Sequence, residues 1–227
     1  TGQHSILTAN RFKGCSVLAI DLCLNSLAYA KRKSDELGIT NIEYMHADIL
    51  DLGKISKKFD IIESFGVLHH MENPMTGWRK LTDCLKPDGL MMISLYSELA
   101  RQRIVKIRDE IAQANIVSNN SEMRLFRSFV ISSDQEHHKR ILASPDFYSM
   151  GPLRDLLFHV QEHRFTLPQI KSCLVELGLD FCGFDAPKIV KRFRATNSCL
   201  NDLYNLDKWH AYEKENHDTF VATDGFW

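Results

Sequence analysis

Two acids close short apolar runs in the first fifty residues: Asp21 follows residues 16–20 (SVLAI), and Asp48 follows residues 41–46 (NIEYMH). A carboxylate at the end of a strand can accept hydrogen bonds from both hydroxyls of a ribose. A second acid, one strand along, can meet an adenine amino group. Each acid alone fits a plain cap of the next turn equally well. Together, at this spacing, they read as a nucleoside site. Ser64-Phe65-Gly66 ends a third run, and His69-His70 follow in the next loop. An imidazole titrates near neutrality, so either histidine suits a general base, and either also suits a loop position bonded to backbone. His159 and His163 bracket Glu162 in an H-x-x-E-H pattern, which on a helix sets two histidines one turn apart. With no third ligand to assign, that segment reads as a substrate-facing cluster or a solvated helix end, and no metal ligand is assigned. Tyr29 and Lys33 mimic a dehydrogenase dyad, but they fall in the helix after Asp21, whereas that dyad belongs near a fifth strand.

These side chains need elements to hold them. The continuous apolar run 16–20 is typical of a parallel strand covered on both faces. A helix over 26–37 should follow, capped by Asn25 and stopped by Gly38. Strands are expected over 41–46, 59–64 (FDIIES) and 90–96 (LMMISLY), with a helix over 75–85 ending at a Pro87–Gly89 turn. Strand–helix alternation at this spacing means βαβ units and a Rossmann-like, doubly wound, mostly parallel α/β sheet. In such sheets ligands sit outside the carboxyl ends of the strands, where the acids above lie.

Composition narrows the class further. The 227 residues carry 28 Lys+Arg against 29 Asp+Glu, so no global field draws the chain to phosphate backbones or anionic lipid. Basic clusters at 101–108 and 188–194 are interleaved with acids and read as solvated helix faces. No apolar run reaches a membrane span. Six scattered cysteines without a C-x-x-C pair suit free thiols in a reducing compartment, so a cytoplasmic protein is expected.

The segments TGQHS, VLAIDL, HADIL, FDIIESFGVLHHM and LKPDGLMMISLYSELAR resemble, in order and spacing, class I S-adenosylmethionine-dependent methyltransferases, including uncharacterised bacterial domains of the small-molecule type. The resemblance implies S-adenosyl-L-methionine as cofactor. By it, Gly2 is the last glycine of a G-x-G-x-G loop, Asp21 and Leu22 hold the ribose, and Asp48 and Ile49 flank the adenine. Ser64, Phe65 and Gly66 would then line the methionine end. It divides the chain into a cofactor-binding core (1–96), a helical lid (97–165) and a C-terminal part of the core (166–227). A small molecule is the expected acceptor, with a modified biopolymer as the other option. Arg154, His159, Glu162, His163 and Trp209 are candidate substrate contacts, and His69 and His70 candidate catalytic groups. DNA base-amino methylation is not expected, because Ser64-Phe65-Gly66-Val67 stands where such enzymes carry a Pro-Pro-aromatic motif. An NAD-linked oxidoreductase and a catalytically inactive binding module are the alternatives.

In the later part, an amphipathic helix is expected over 97–114, a polar stretch of short helices and loops over 118–144, and a capping box at Thr166-x-x-Gln169 with Gly178 as stop. A strand over 179–184 and the start of a last antiparallel strand near the end should follow. The missing upstream strand and glycines lead us to expect a fragment of a longer, multidomain polypeptide, cut inside the glycine loop.

Overall fold

The computed structural model describes residues 2–221 and 225–226. Thr1 and Trp227, which bear on the expected glycine loop and last strand, lie outside the described residues. The architecture is α/β, with mostly parallel strands. Two compact units divide it: Thr1–Asp60 with Thr76–Gly89, and Ile61–Met75 with Leu90–Trp227.

The first unit starts with α1 (Gln3–Arg11), β1 (Val17–Asp21), α2 (Leu24–Glu36) and β2 (Ile42–His46). β1 and β2 pair in parallel, with Val17 opposite Ile42 and Asp21 opposite His46. Every residue of β1 is only half-buried, against the expectation of a strand covered throughout, because among the described residues it is hydrogen-bonded on the β2 side alone. Ile6 and Ala9 of α1 pack with Ala30, Ile39 and Ile42 to form the core of this unit. Gly2 precedes α1 at φ +73°, and a Cβ there would stand 2.3 Å from the Cβ of Ala30. Only glycine allows both that backbone and that approach. The expected cap Asn25 lies inside α2; the first turn is instead held by Asp21, whose Oδ1 accepts the Cys23 N–H at 2.8 Å. Gly38 ends the helix at φ +66°, as its position suggested.

Farther along come β3 (Phe59–Ser64), α3 (Pro74–Cys84) and β4 (Leu85–Ser94). β4 starts earlier than expected, running through Lys86-Pro87-Asp88-Gly89, and the turn signal survives locally as Asp88 at φ +59°. β4 lies between β3 and β7 (Gly225–Phe226), the latter antiparallel to it, which is where the last antiparallel strand was expected.

In the second unit β5 (Tyr96–Ser97) pairs in parallel with β6 (Arg164–Phe165). α4 (Gln102–Gln113) therefore starts later than the expected 97. α5 (Asn120–Ser132) is a full helix where polar composition suggested short pieces: Asn119 caps it, and Met123, Phe126 and Val130 bury one face. With α6 (Glu136–Ile141) and α7 (Met150–Leu157) these helices share a core that includes Ile107, Ile141, Phe147 and Leu153. α8 (Leu167–Leu177) has the expected capping box of Thr166 with Gln169, and Gly178 at φ +68°. α9 (Pro187–Thr196) and α10 (Leu206–Glu215) follow. Residues 179–184 are not a strand: only Phe184 makes an isolated bridge, to Phe226, while its ring joins Trp209 and Phe220. There, aromatic packing prevailed over strand propensity.

One side chain ties the first unit's loops together. The Asn41 side-chain amide donates to the carbonyls of Ala9 (3.1 Å), Phe12 (3.2 Å) and Cys15 (3.0 Å), while the main-chain carbonyl of the same residue accepts the Val17 N–H that opens β1. Asn41→Ala is expected to lower unfolding stability by about 1–2 kcal/mol, read from urea denaturation. An unchanged midpoint would show that these bonds are replaced by water at no cost.

Candidate functional site

In the first unit, the β1–β2 pairing sets Asp21 and Asp48 at the same end of two neighbouring parallel strands. Both carboxylates are half-buried and each holds the turn that follows it: Asp21 through Cys23, and Asp48 through the Leu50 N–H at 2.9 Å, which starts a 3-10 turn over Ile49–Lys54. The plain capping reading is therefore correct for both, and each bond uses only Oδ1. Beside them Leu22 is 66% exposed, an apolar side chain displayed in water next to a strand-end acid. Its carbonyl accepts from His46 at 2.9 Å, which fixes the loop that presents it.

In the second unit, Ser64 ends β3 with its Oγ buried and without a hydrogen-bond partner. A buried hydroxyl left unpaired costs about 1–3 kcal/mol, so this position calls for a polar partner from outside the protein's own side chains. Phe65 stands against Gly225, where a Cβ would meet its ring at 3.4 Å, and Gly66 adopts φ +68°.

The same unit brings together groups that are 90 residues apart in the chain. His70 Nδ1 bonds the Gln161 carbonyl at 2.8 Å, so its proton is on Nδ1 and Nε2 keeps the lone pair. Its ring stacks on His159 at 3.8 Å between centroids. His163 donates its backbone N–H to the His69 carbonyl at 2.7 Å, and the Gln161 amide reaches both His163 Nε2 and the Met71 carbonyl, each at 3.2 Å. His69 is fully buried against Tyr96, with ring centroids 4.0 Å apart, and neither ring nitrogen makes a well-formed hydrogen bond. Burial, reinforced by the neighbouring His70, pushes its pKa down to about 3. Burial also lowers His70, though the Gln161 carbonyl opposes this.

Glu162 anchors the cluster. Its side chain is 1% exposed and receives Arg101 Nη2 at 2.5 Å and Arg108 Nη1 at 3.1 Å, with Arg164 Nη1 at 3.8 Å. The Arg101 guanidinium lies 3.7 Å over the Tyr96 ring, and Arg108 also donates to the His159 carbonyl. Two expectations are thereby corrected. Residues 158–163 are not helical, so His159 and His163 are not set one helical turn apart as the H-x-x-E-H spacing suggested, and the glutamate between them is bound by arginines. Arg101 and Arg108, read as part of a solvated face, point inward; their spacing of two helical turns on one face was the signal available in the sequence.

Of the proposed substrate contacts, His159, Glu162 and His163 thus meet the two candidate catalytic histidines. Arg154 instead bonds Asn120 on the protein surface at 3.0 Å. Trp209 is completely buried, stacked on Phe193 at 3.7 Å, with its indole N–H given to the Leu203 carbonyl. That position belongs to the core and is closed to a substrate. Tyr96, Arg101, Arg108 and Gln161 are the cluster members that sequence reasoning missed.

Comparison with known proteins gives these residues a frame. Residues 1–93 match the family model described as a methyltransferase domain. An uncharacterized protein of Synechococcus sp. is 24% identical over 223 residues, covering 93% of this chain and 54% of that protein. The (S)-coclaurine N-methyltransferase of Papaver somniferum is 28% identical over 92 residues, covering 40% of this chain and 26% of the relative. Among solved structures, PKMT2 from Rickettsia typhi in complex with AdoHcy superposes with a TM-score of 0.66 at 18% identity, over 96% of this chain and 44% of that one. The chain therefore spans about half the length, or less, of these relatives.

Two outcomes follow from the buried charges. Glu162→Ala leaves Arg101 and Arg108 inside without a counter-charge and is expected to cost about 3–5 kcal/mol; loss below 1 kcal/mol in chemical denaturation would refute the anchoring role. His69 stays neutral when folded and takes a proton near pH 6.5 when unfolded. Its contribution is complete above pH 6.5 and declines as pH falls toward 3, by about 2 kcal/mol between pH 7 and pH 5. His69→Phe should remove that part of the acid sensitivity, read as a smaller stability difference between the two pH values.

Proposed function

We propose that this chain, whose first 93 residues match the model described as a methyltransferase domain and whose fold is Rossmann-like, as in class I methyltransferases, transfers a methyl group from S-adenosyl-L-methionine to a small molecule. The observation that carries the reading is the pair Asp21 and Asp48 at matching ends of parallel strands, within a segment that matches that family throughout. The donor set suits a nucleoside. Asp21 Oδ2 lies outside the Cys23 bond and is available to ribose hydroxyls, and the displayed Leu22 side chain suits the apolar face of the sugar or base. Asp48 and Ile49 are assigned to the adenine, and the αL Gly2 to the close approach of backbone that a phosphate-free nucleoside tail needs. Ser64 Oγ, Phe65 and Gly66 are assigned to the methionine end; the unpartnered hydroxyl supports this for Ser64.

The cofactor supplies a methyl group already activated on a sulfonium sulfur. What remains for the protein is to orient the acceptor, exclude water and take up a proton. His70 fits the last task better than His69: its Nε2 lone pair is held ready by the Gln161 carbonyl on the opposite nitrogen, and it is neutral at physiological pH. His69 then serves as a buried support under Tyr96. His159 and His163 line the acceptor, with Glu162 positioning them through Arg101 and Arg108. We assign the helical segment 97–165 as a lid over this acceptor site. No helix among the described residues is long and apolar enough to cross a membrane, and six free cysteines support work in the cytoplasm.

Calorimetry with S-adenosylhomocysteine and with NADH tests the cofactor. Binding of the former alone is expected, with Asp21→Ala weakening it at least ~30-fold through loss of charged hydrogen bonds worth about 2 kcal/mol. Binding of NADH alone would restore the oxidoreductase reading. For the proton acceptor, methyl transfer from labelled cofactor into a metabolite extract should fall ~100-fold in His70→Gln with cofactor affinity intact. An undiminished rate would remove His70 from the chemistry. A total absence of transfer by the unaltered chain would favour a binding module.

A further inference from the structure

Away from this cluster, α4 and α6 bring Glu110, His137 and His138 face to face. His137 Nε2 lies 2.6 Å from Glu110 Oε1 and His138 Nε2 lies 2.7 Å from Glu110 Oε2. One potential ligand atom from each of the three can be chosen so that all lie within 4.8 Å of one another. His138 is fully buried and His137 nearly so, while the Glu110 side chain keeps 29% exposure. The convergence runs against local geometry. Adjacent residues on a helix point about 100° apart, yet these two rings stand 4.3 Å apart and address one carboxylate. Ser133 Oγ sits 2.7 Å from Nδ1 of His138, the far nitrogen of that ring. The neighbouring cations are engaged elsewhere: Lys139 pairs with Asp134, and Arg140 with Glu136 and Asp218.

We propose that Glu110, His137 and His138 form a zinc(II) site, with a fourth position open to the cleft beside them. Two neutral imidazoles and one carboxylate are a complete three-ligand set for a divalent first-row ion, and the absence of thiolate favours zinc over softer ions. Tetrahedral ligands at ~2.0–2.1 Å from zinc stand about 3.3 Å apart, so the present hydrogen-bonded spacing must open by about 0.6 Å. Side-chain torsions of Glu110, the most exposed of the three, supply that movement. On binding, His138 gives its Nε2 lone pair to the metal and carries its proton on Nδ1. Ser133 Oγ then accepts from it, reversing the direction of a bond that is already in place. Access comes along Glu110, the one member of the three that lines a cleft of about 740 Å³ together with Gln113, Phe126, Phe129 and Gln135. Nothing in the sequence marks the site, because the carboxylate and the histidine pair are 27 residues apart with no recognised spacing.

Cobalt(II) as a spectroscopic substitute, followed by displacement with zinc(II), tests the proposal on the full, metal-stripped chain. One equivalent should give the intense visible absorption of a four- or five-coordinate site, and zinc should abolish it and raise the melting temperature. Glu110→Gln should weaken zinc at least ~100-fold, and Ser133→Ala roughly 10-fold. His137→Gln serves as the second ligand variant if Glu110→Gln does not fold. Four cysteines are exposed, so binding that survives unchanged in the folded ligand variants would place the ion on thiols and overturn the assignment. Absence of binding by the unaltered chain at micromolar zinc would overturn it as well.

Discussion

Glu162 is buried among three arginines, and a charge taken out of water costs several kcal/mol unless its partners come with it. Most of the histidine cluster follows from that requirement. Meeting Arg101 and Arg108 draws residues 161–165 against the start of α4, and the short parallel pairing of β5 with β6 closes beside it. Once there, the segment has backbone groups to spend. Gln161 offers its carbonyl to His70, His163 offers its N–H to the His69 carbonyl, and Phe165 accepts the Glu98 N–H. The Arg101 guanidinium also covers Tyr96, whose ring covers His69. A single buried carboxylate thus determines which histidine is sealed and which keeps a usable nitrogen.

The reading proposed for the strand-end acids asks one side chain to serve a turn and a ligand at once. Asp21 and Asp48 each hold the next turn with one oxygen, so their local role does not exhaust the carboxylate. A capped turn is also a fixed one, and a fixed carboxylate loses less freedom when a ribose or an amino group arrives. Capping and binding are therefore compatible readings of these acids.

The helices over 102–157 carry a core of their own, built from Ile107, Met123, Val130, Ile141, Phe147 and Leu153. Such a core holds its elements rigidly enough to place polar side chains with care, and the Glu110–His137–His138 triangle sits at its margin. Polar composition over 118–144 concealed this, because a helix that buries one residue per turn needs few apolar residues to do so.

The sequence by itself determined the strands at 42–46 and 59–64, the capping box before α8, the glycine stops at Gly38 and Gly178, and the acids at the strand ends. All of these depend on contacts between residues close in the chain, or on a hydrophobic period that a single segment displays. Tertiary structure alone decided which arginines face inward, that Trp209 is core, that residues 179–184 pack as aromatics instead of pairing, and that His69 is sealed without a ring hydrogen bond while His70 Nδ1 meets the Gln161 carbonyl. Those outcomes depend on desolvation and on partners that only the fold brings together, from Phe193 sixteen residues before Trp209 to Gln161 ninety-one residues after His70, which no local pattern encodes.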